Sequence, residues 1–266
     1  MAEILQRTRE GAVQILTFNR PETRNALTPE LADALTIALD DAKHDPAIRA
    51  VVLTGAGGSF CSGIDLANLM GMLAEDPSPA NRRALSRRVL GGQLHGAIRA
   101  LWDLHKPTVA AVQGSAAGFG LDLACACDLR VIASDAKLSY TFVKRGLVPD
   151  GGTGHYLPRL IGLGRALELV LLAEPFDGVQ AERLGLANRA VESERVLATA
   201  LELATRLAAN APLAMAAAKS RLKANDSFGH ELSAAVEHAA MGIGSDDAIE
   251  GVTAFVEKRP PSFSGR

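Results

Sequence analysis

Residues 106–138, KPTVAAVQGSAAGFGLDLACACDLRVIASDAKL, decide the fold. TVAAVQG is a short apolar run that stops at Gly, the pattern of a strand buried on both faces. The glycines of QGSAAGFG let the chain turn, LDLACA reads as a short helix, and DLRVIAS and KLSYTF read as further strands. In KLSYTF, Leu138, Tyr140 and Phe142 alternate with Lys137, Ser139 and Thr141, which predicts Phe142 on the apolar face of a strand.

Upstream, EILQRTR and AVQILTF read as two strands joined by a turn at Glu10-Gly11, followed by a helix after Thr28 and a strand in AIRAVVLTG. Thr28 is a good N-cap and Pro29 a good first helical residue, with Leu31, Leu35, Ala38 and Ala42 at helical spacing behind them. A second Gly-rich turn, GGSFCSGIDL (57–66), leads into a short helix near 65–73 and then a polar loop, EDPSP, read as mobile. A helical pattern runs from about Ala80 to His105, with Leu90, Leu94, Leu101 and Leu104 on one stripe, and Pro107 ends it. From about residue 193 the pattern is helical throughout, which marks a C-terminal helical part. Its last helix starts at Ser245 with Asp246 and Asp247 in the first turn, and Lys258 and Arg259 complement its far end.

The 266 residues are 48% hydrophobic and 22% charged, so a large core can be buried and disorder is excluded as the main state. The net charge of −2 lacks the basic excess that binding a phosphate backbone needs, which argues against nucleic acid as a partner. Cys61, Cys125 and Cys127 sit in apolar or Gly/Ser surroundings, giving neither a disulfide framework nor a metal site, and point to a reducing compartment. The six histidines show no ligand spacing and read as surface or helix-end residues. No secretory start and no long apolar run is visible, so the expectation is a soluble, cytoplasmic protein without membrane contact.

Each Gly-rich turn lies between a buried strand and a helix, where backbone N–H groups have no partner of their own. Two such donors converging on a carbonyl oxygen make an oxyanion hole. Taken singly, each set of glycines is equally compatible with a tight turn and nothing more.

The two turns together resemble the enoyl-CoA hydratase/isomerase (crotonase) superfamily. The resemblance extends over LTFNRPETRNAL (16–27), AVVLTGAGGSFCSGIDL (50–66), residues 106–138, GLVPDGGTGHYLPRLIG (146–162), AERLGLANRAV (181–191) and FVEKRPPSFSGR (255–266). It implies an α/β fold, a crotonase-like spiral of ββα units over 1–192, followed by a C-terminal α-helical trimerisation part over 193–266. The implied substrate is an acyl-CoA thioester, with no cofactor beyond the coenzyme A it carries. The implied assembly is a homotrimer or a hexamer built as a dimer of trimers.

The same resemblance puts the two oxyanion donors on the N–H groups of Ile64 and Phe119. Phe119 stands where many relatives have Gly, so its bulk raises the question of a different local backbone. The coenzyme A is expected along Arg24, Ala26, Ser62, Gly63, Asp65, Leu66, Phe255 and Lys258, with Lys258 reaching a neighbouring subunit's ligand. Arg24 and Lys258 would meet phosphates. Asp65 has the alternative of a helix cap.

The acid/base candidates are Asp122, three residues past Phe119, and Asp150 in the PDGG turn. In the hydratase branch two Glu side chains share a water, one at the place of Asp122 and one at the place of Phe142, and phenylalanine cannot activate water. In the double-bond isomerase branch carboxylates stand at the places of both Asp122 and Asp150, so the sequence leans to isomerisation. Apolar neighbours predict a raised pKa for Asp122, whereas Asp150 alone would also suit an ordinary turn. Two alternatives stay open: hydration by the same two carboxylates, and a non-catalytic acyl-CoA-binding member. A dinucleotide oxidoreductase is disfavoured, because the first strand leads to REGAVQ and not to a Gly-x-Gly-x-x-Gly turn.

Overall fold

The computed structural model describes residues 3–75, 78–210, 212–223 and 243–261, together with Val236 and Ala240. Strands β1 (Leu5–Glu10) and β2 (Val13–Phe18) form the antiparallel hairpin turned at Glu10-Gly11. The main sheet then grows by parallel pairing through β3 (Ala50–Gly55), β4 (Thr108–Val112), β6 (Leu129–Ala133) and β8 (Arg189–Val191), in the order β1-β2-β3-β4-β6-β8. Every residue of β3 and β4 is buried, as unbroken apolar runs require of strands covered on both faces. β1, at the edge, buries only Leu5 and shows a polar row that discourages pairing with another chain. A separate two-stranded parallel sheet joins β5 (Ser115–Ala117) to β7 (Lys137–Ser139).

Helix α1 (Pro29–His44) begins as its sequence predicts. The Thr28 hydroxyl accepts from the Leu31 N–H at 3.3 Å, a cap worth about 1 kcal/mol. Leu31, Leu35, Ala38 and Ala42 form its buried face. The helix just after residue 193, α9 (Val196–Ala208), lies on β2, β3, β4 and β6. Val196, Ala200 and Ala204, four apart, are its buried row, and their small size lets the helix approach the sheet closely. Residues 143–192, to which the sequence pattern assigns no element, supply α6 (Thr153–Ile161), α7 (Leu163–Leu172), α8 (Gly178–Leu184) and β8.

Two expectations need correction. The helix expected over 80–105 is α3 (Pro79–Val89), a π-helical turn (Leu90–Leu94) and α4 (His95–Asp103), ending before His105 because Leu104 is already extended. The leucine stripe is buried as expected, but the Gly91-Gly92 pair sits where the backbone widens into the π turn. The strand expected over KLSYTF stops at Ser139, because its partner β5 is only three residues long. Phe142 adopts helical dihedrals at the head of a 3-10 turn (Val143–Arg145); it is buried, but not by strand alternation.

Beyond α9 come α10 (Pro212–Lys223) and α11 (Asp246–Val256). The Ser245 hydroxyl caps α11 by accepting from the Ala248 N–H at 3.1 Å. The centre of EDPSP, most of the helix read at 228–242 and the tail from 262 lie outside the described residues. Among the described residues no helix is long and apolar enough to cross a membrane.

Candidate active site

The two Gly-rich turns are stitched together by their backbones. The Phe60 N–H donates to the Ser115 carbonyl at 2.9 Å, and the Ala117 N–H donates to the Cys61 carbonyl at 3.1 Å. Gly63 lies so near the second turn that a Cβ on it would stand 2.8 Å from the Ala117 oxygen and 3.6 Å from the Phe119 nitrogen. The N–H groups of Ile64 and Phe119 are thereby neighbours, and neither donates to a described residue.

The helices after the two turns begin differently. α2 (Leu66–Ala74) is capped by Asp65, whose Oδ1 accepts from the Asn68 N–H at 3.1 Å while Oδ2 takes the Arg20 guanidinium at 3.0 Å. α5 (Phe119–Ala126) has Gly118 at its N-cap and so no side-chain cap, which leaves its first N–H free for a ligand. The left-handed backbone at this turn falls on Gly118, at φ +49°, and not on Phe119. The Phe119 ring is fully buried, so its bulk is absorbed by the core and its N–H is untouched.

A cavity of about 390 Å³ opens beside this N–H pair. Ser62, Gly63, Ile64, Asp65 and Leu66 line it from the first turn, with Arg24 and Ala26 from the segment before α1; Gly118 and Phe119 line it from the second turn, Phe142 and Arg145 from the head and end of the 3-10 turn Val143–Arg145, and Phe255 from α11. Lys258 does not line it; this residue is exposed, two positions past the end of α11. Phe142 stands against Gly118, its ring 3.4 Å from where a Cβ on Gly118 would be, and presents an apolar surface beside the second N–H.

Neither aspartate is part of the cavity wall; both are buried beside α5, the helix whose first residue lines it. Asp122 lies one helical turn beyond Phe119, and the Thr153 hydroxyl donates across its two carboxylate oxygens, at 2.7 and 2.9 Å. Asp150 is held in the turn before α6, and among the described residues its Oδ1 has no hydrogen-bond partner. Burial pushes the Asp150 carboxyl up from its ordinary 3.8 to about 7. The turn rests on Asp122 itself: a Cβ on Gly151 would come within 2.6 Å of Asp122 Oδ2, so only glycine permits this approach.

Thr153, His95 and Arg145 are absent from the sequence-derived site. Neither His95 nor His155 is on the surface: both are buried, and His95 stands at a helix end as the first residue of α4. His95 donates from Nε2 to the Asp150 main-chain oxygen at 2.7 Å, and burial holds its imidazole down at about 4, so it is neutral at pH 7. His155 packs edge-on to Trp102 and Tyr156. Arg145 donates to the Thr141 carbonyl at 3.2 Å and stacks 4.1 Å over the Phe255 ring, fixing α11 against the cavity. Cys61 is a buried filler whose thiol is pushed up to about 12, which removes it as a nucleophile.

The family model for enoyl-CoA hydratase/isomerase matches residues 8–266. The chain is 32% identical over 254 residues to the short-chain-enoyl-CoA hydratase of Clostridium acetobutylicum, covering 94% of each chain. It is 33% identical over 262 residues to the crotonyl-CoA hydratase of Syntrophomonas wolfei, covering 96% of this chain and 95% of the other. The crystal structure of an enoyl-CoA hydratase/isomerase from Pseudoalteromonas atlantica T6c superposes with a TM-score of 0.86 at 30% identity, over 98% of this chain and all (100%) of that one.

Proposed function

The chain belongs to the enoyl-CoA hydratase/isomerase family, and from that premise we propose that it moves a carbon–carbon double bond along an enoyl-CoA thioester. In this reading the thioester oxygen lies between the N–H groups of Ile64 and Phe119. Each donor stabilises the developing enolate by roughly 3–4 kcal/mol in a water-poor site. Asp150 takes a proton from one carbon and returns it to another, and Asp122 is the second carboxylate. The coenzyme A moiety runs along Arg24, Ala26, Ser62, Gly63, Asp65, Leu66 and Phe255, with Lys258 serving a neighbouring subunit's ligand, and no separate cofactor takes part.

The observation that carries the proposal is Asp150 Oδ1, a buried carboxylate oxygen with no hydrogen-bond partner among the described residues, on a group that burial pushes up to about 7. A general base is most effective when its pKa lies near the working pH. Phe142 supports migration over hydration, since no polar group stands there to hold a water. The assembly proposed is a trimer, or a pair of trimers. Leu163, Leu167 and Leu171 form an exposed apolar stripe on α7 that suits contact with another copy.

Hydration by the same two aspartates is the second reading, favoured by the names of the Clostridium and Syntrophomonas relatives. Asp150→Asn tests the assignment of the base. Its kcat for migration should fall by about 10²- to 10⁴-fold while CoA-ester affinity stays nearly unchanged. Near wild-type migration by this variant would refute Asp150 as the base.

A further inference from the structure

We propose that His95 is a positioning residue for Asp150: through its Nε2–H it fixes the main-chain carbonyl of Asp150 and so the turn that aims the carboxylate. This inference rests on Asp150 being the base. A carbonyl oxygen only accepts, so the 2.7 Å contact requires the proton on Nε2. Both residues are buried, where such a bond is neither shared with water nor easily replaced.

The placement of His95 has a structural cause. It is the first residue of α4, directly after the π turn Leu90–Leu94. A π turn inserts an extra residue into the helix and rotates the residues beyond it, and such turns recur at functional sites. Here it delivers a histidine from a helix otherwise buried through Ala97, Ile98 and Leu101 to the 149–153 turn.

The turn is gripped from two sides. Gly151 rests on the Asp122 carboxylate, and His95 holds the Asp150 carbonyl. Asp150 Oδ1, in contrast, has no hydrogen-bond partner among the described residues, so the aiming falls to the main chain. The imidazole is neutral at working pH, and the tether therefore adds no charge beside the carboxyl that it orients. The charged group acting on His95 from its own helix is Arg99, and the turn meets it through the Asp150 main-chain oxygen.

The test compares His95→Phe, which keeps a ring and removes the donor, with His95→Gln, which keeps an N–H donor. The readouts are kcat, KM and the pH profile of double-bond migration. His95→Phe should lower kcat by about 10- to 100-fold with little change in KM. It should also displace the acid limb, expected near the value of about 7 to which burial pushes Asp150, a shift that lost stability alone would not produce. His95→Gln should recover most of kcat and the original limb. An unchanged kcat and pH profile in His95→Phe would overturn the proposal, as would a His95→Gln variant as impaired as His95→Phe. Should His95→Phe fail to fold, His95→Gln decides alone, and a displaced limb in that variant overturns the proposal. Asp150→Asn, run in parallel, separates the two levels. If it is inactive while His95→Phe behaves as wild type, only the role of His95 falls; if Asp150→Asn is active, the reading of Asp150 falls and the role of His95 with it.

Discussion

Asp122 and Asp150 are two buried aspartates on adjoining segments, and they are treated oppositely. Asp122 sits on a helix and receives the Thr153 hydroxyl across both oxygens. Asp150 sits on a turn, with an oxygen that has no partner among the described residues, and burial pushes its carboxyl up to about 7. Leaving a buried acceptor unpaired costs roughly 1–3 kcal/mol. The fold bears this cost at one carboxylate and avoids it at the other, the difference expected if Asp150 is the proposed base and Asp122 is held still.

Neutralising each aspartate in turn should have the largest and most unequal effects. Asp150→Asn should lower the migration kcat by about 10²- to 10⁴-fold, and Asp122→Asn by clearly less. Equal losses in steady-state assays would erase the distinction.

The next effect is on stability against pH. The folded-state pKa of Asp150, about 7, lies above its ordinary 3.8, so the folded protein binds the extra proton between those values. Stability contributed by this group is therefore present at low pH and lost as pH rises through 7. Asp150→Asn should melt higher than wild type at pH 8, by at most about 4 kcal/mol, and the gain should shrink towards pH 4. A gain independent of pH in thermal melts would contradict the burial account.

Substitutions in the turn sharpen the comparison further. Gly151→Ala pushes a methyl group into the Asp122 carboxylate and should destabilise the fold by about 3 kcal/mol, measured by urea unfolding. Thr153→Val removes the donor from Asp122 and should cost about 1.5 kcal/mol in the same assay, with a smaller loss of kcat than Asp150→Asn.

Much of this is legible in the sequence. The apolar runs at 50–55 and 108–112 give β3 and β4, Thr28-Pro29 gives the start of α1, and the two Gly-rich turns give the cavity walls. These signals are local, carried by period, cap or glycine. The rest depends on partners remote in sequence or on backbone detail without a period. His95 lies 55 residues from Asp150, and Thr153 lies 31 from Asp122, so neither pairing has a spacing to read. The π turn hides inside a leucine stripe that looks like ordinary helix. The strand expected at Phe142 fails because alternation assumes a ladder long enough to sustain it, and β5 offers only three residues.

What separates the two readings is whether double-bond migration outpaces the addition of water. The most direct measurement gives the purified protein trans-2-, trans-3- and 3,5-dienoyl-CoA esters in turn and identifies the products by mass and by chromatographic separation of isomers. The account predicts isomers of unchanged mass, formed faster than any hydrated product on matched chains. Rapid gain of the mass of water by the trans-2-enoyl ester, outpacing every migration, would contradict it.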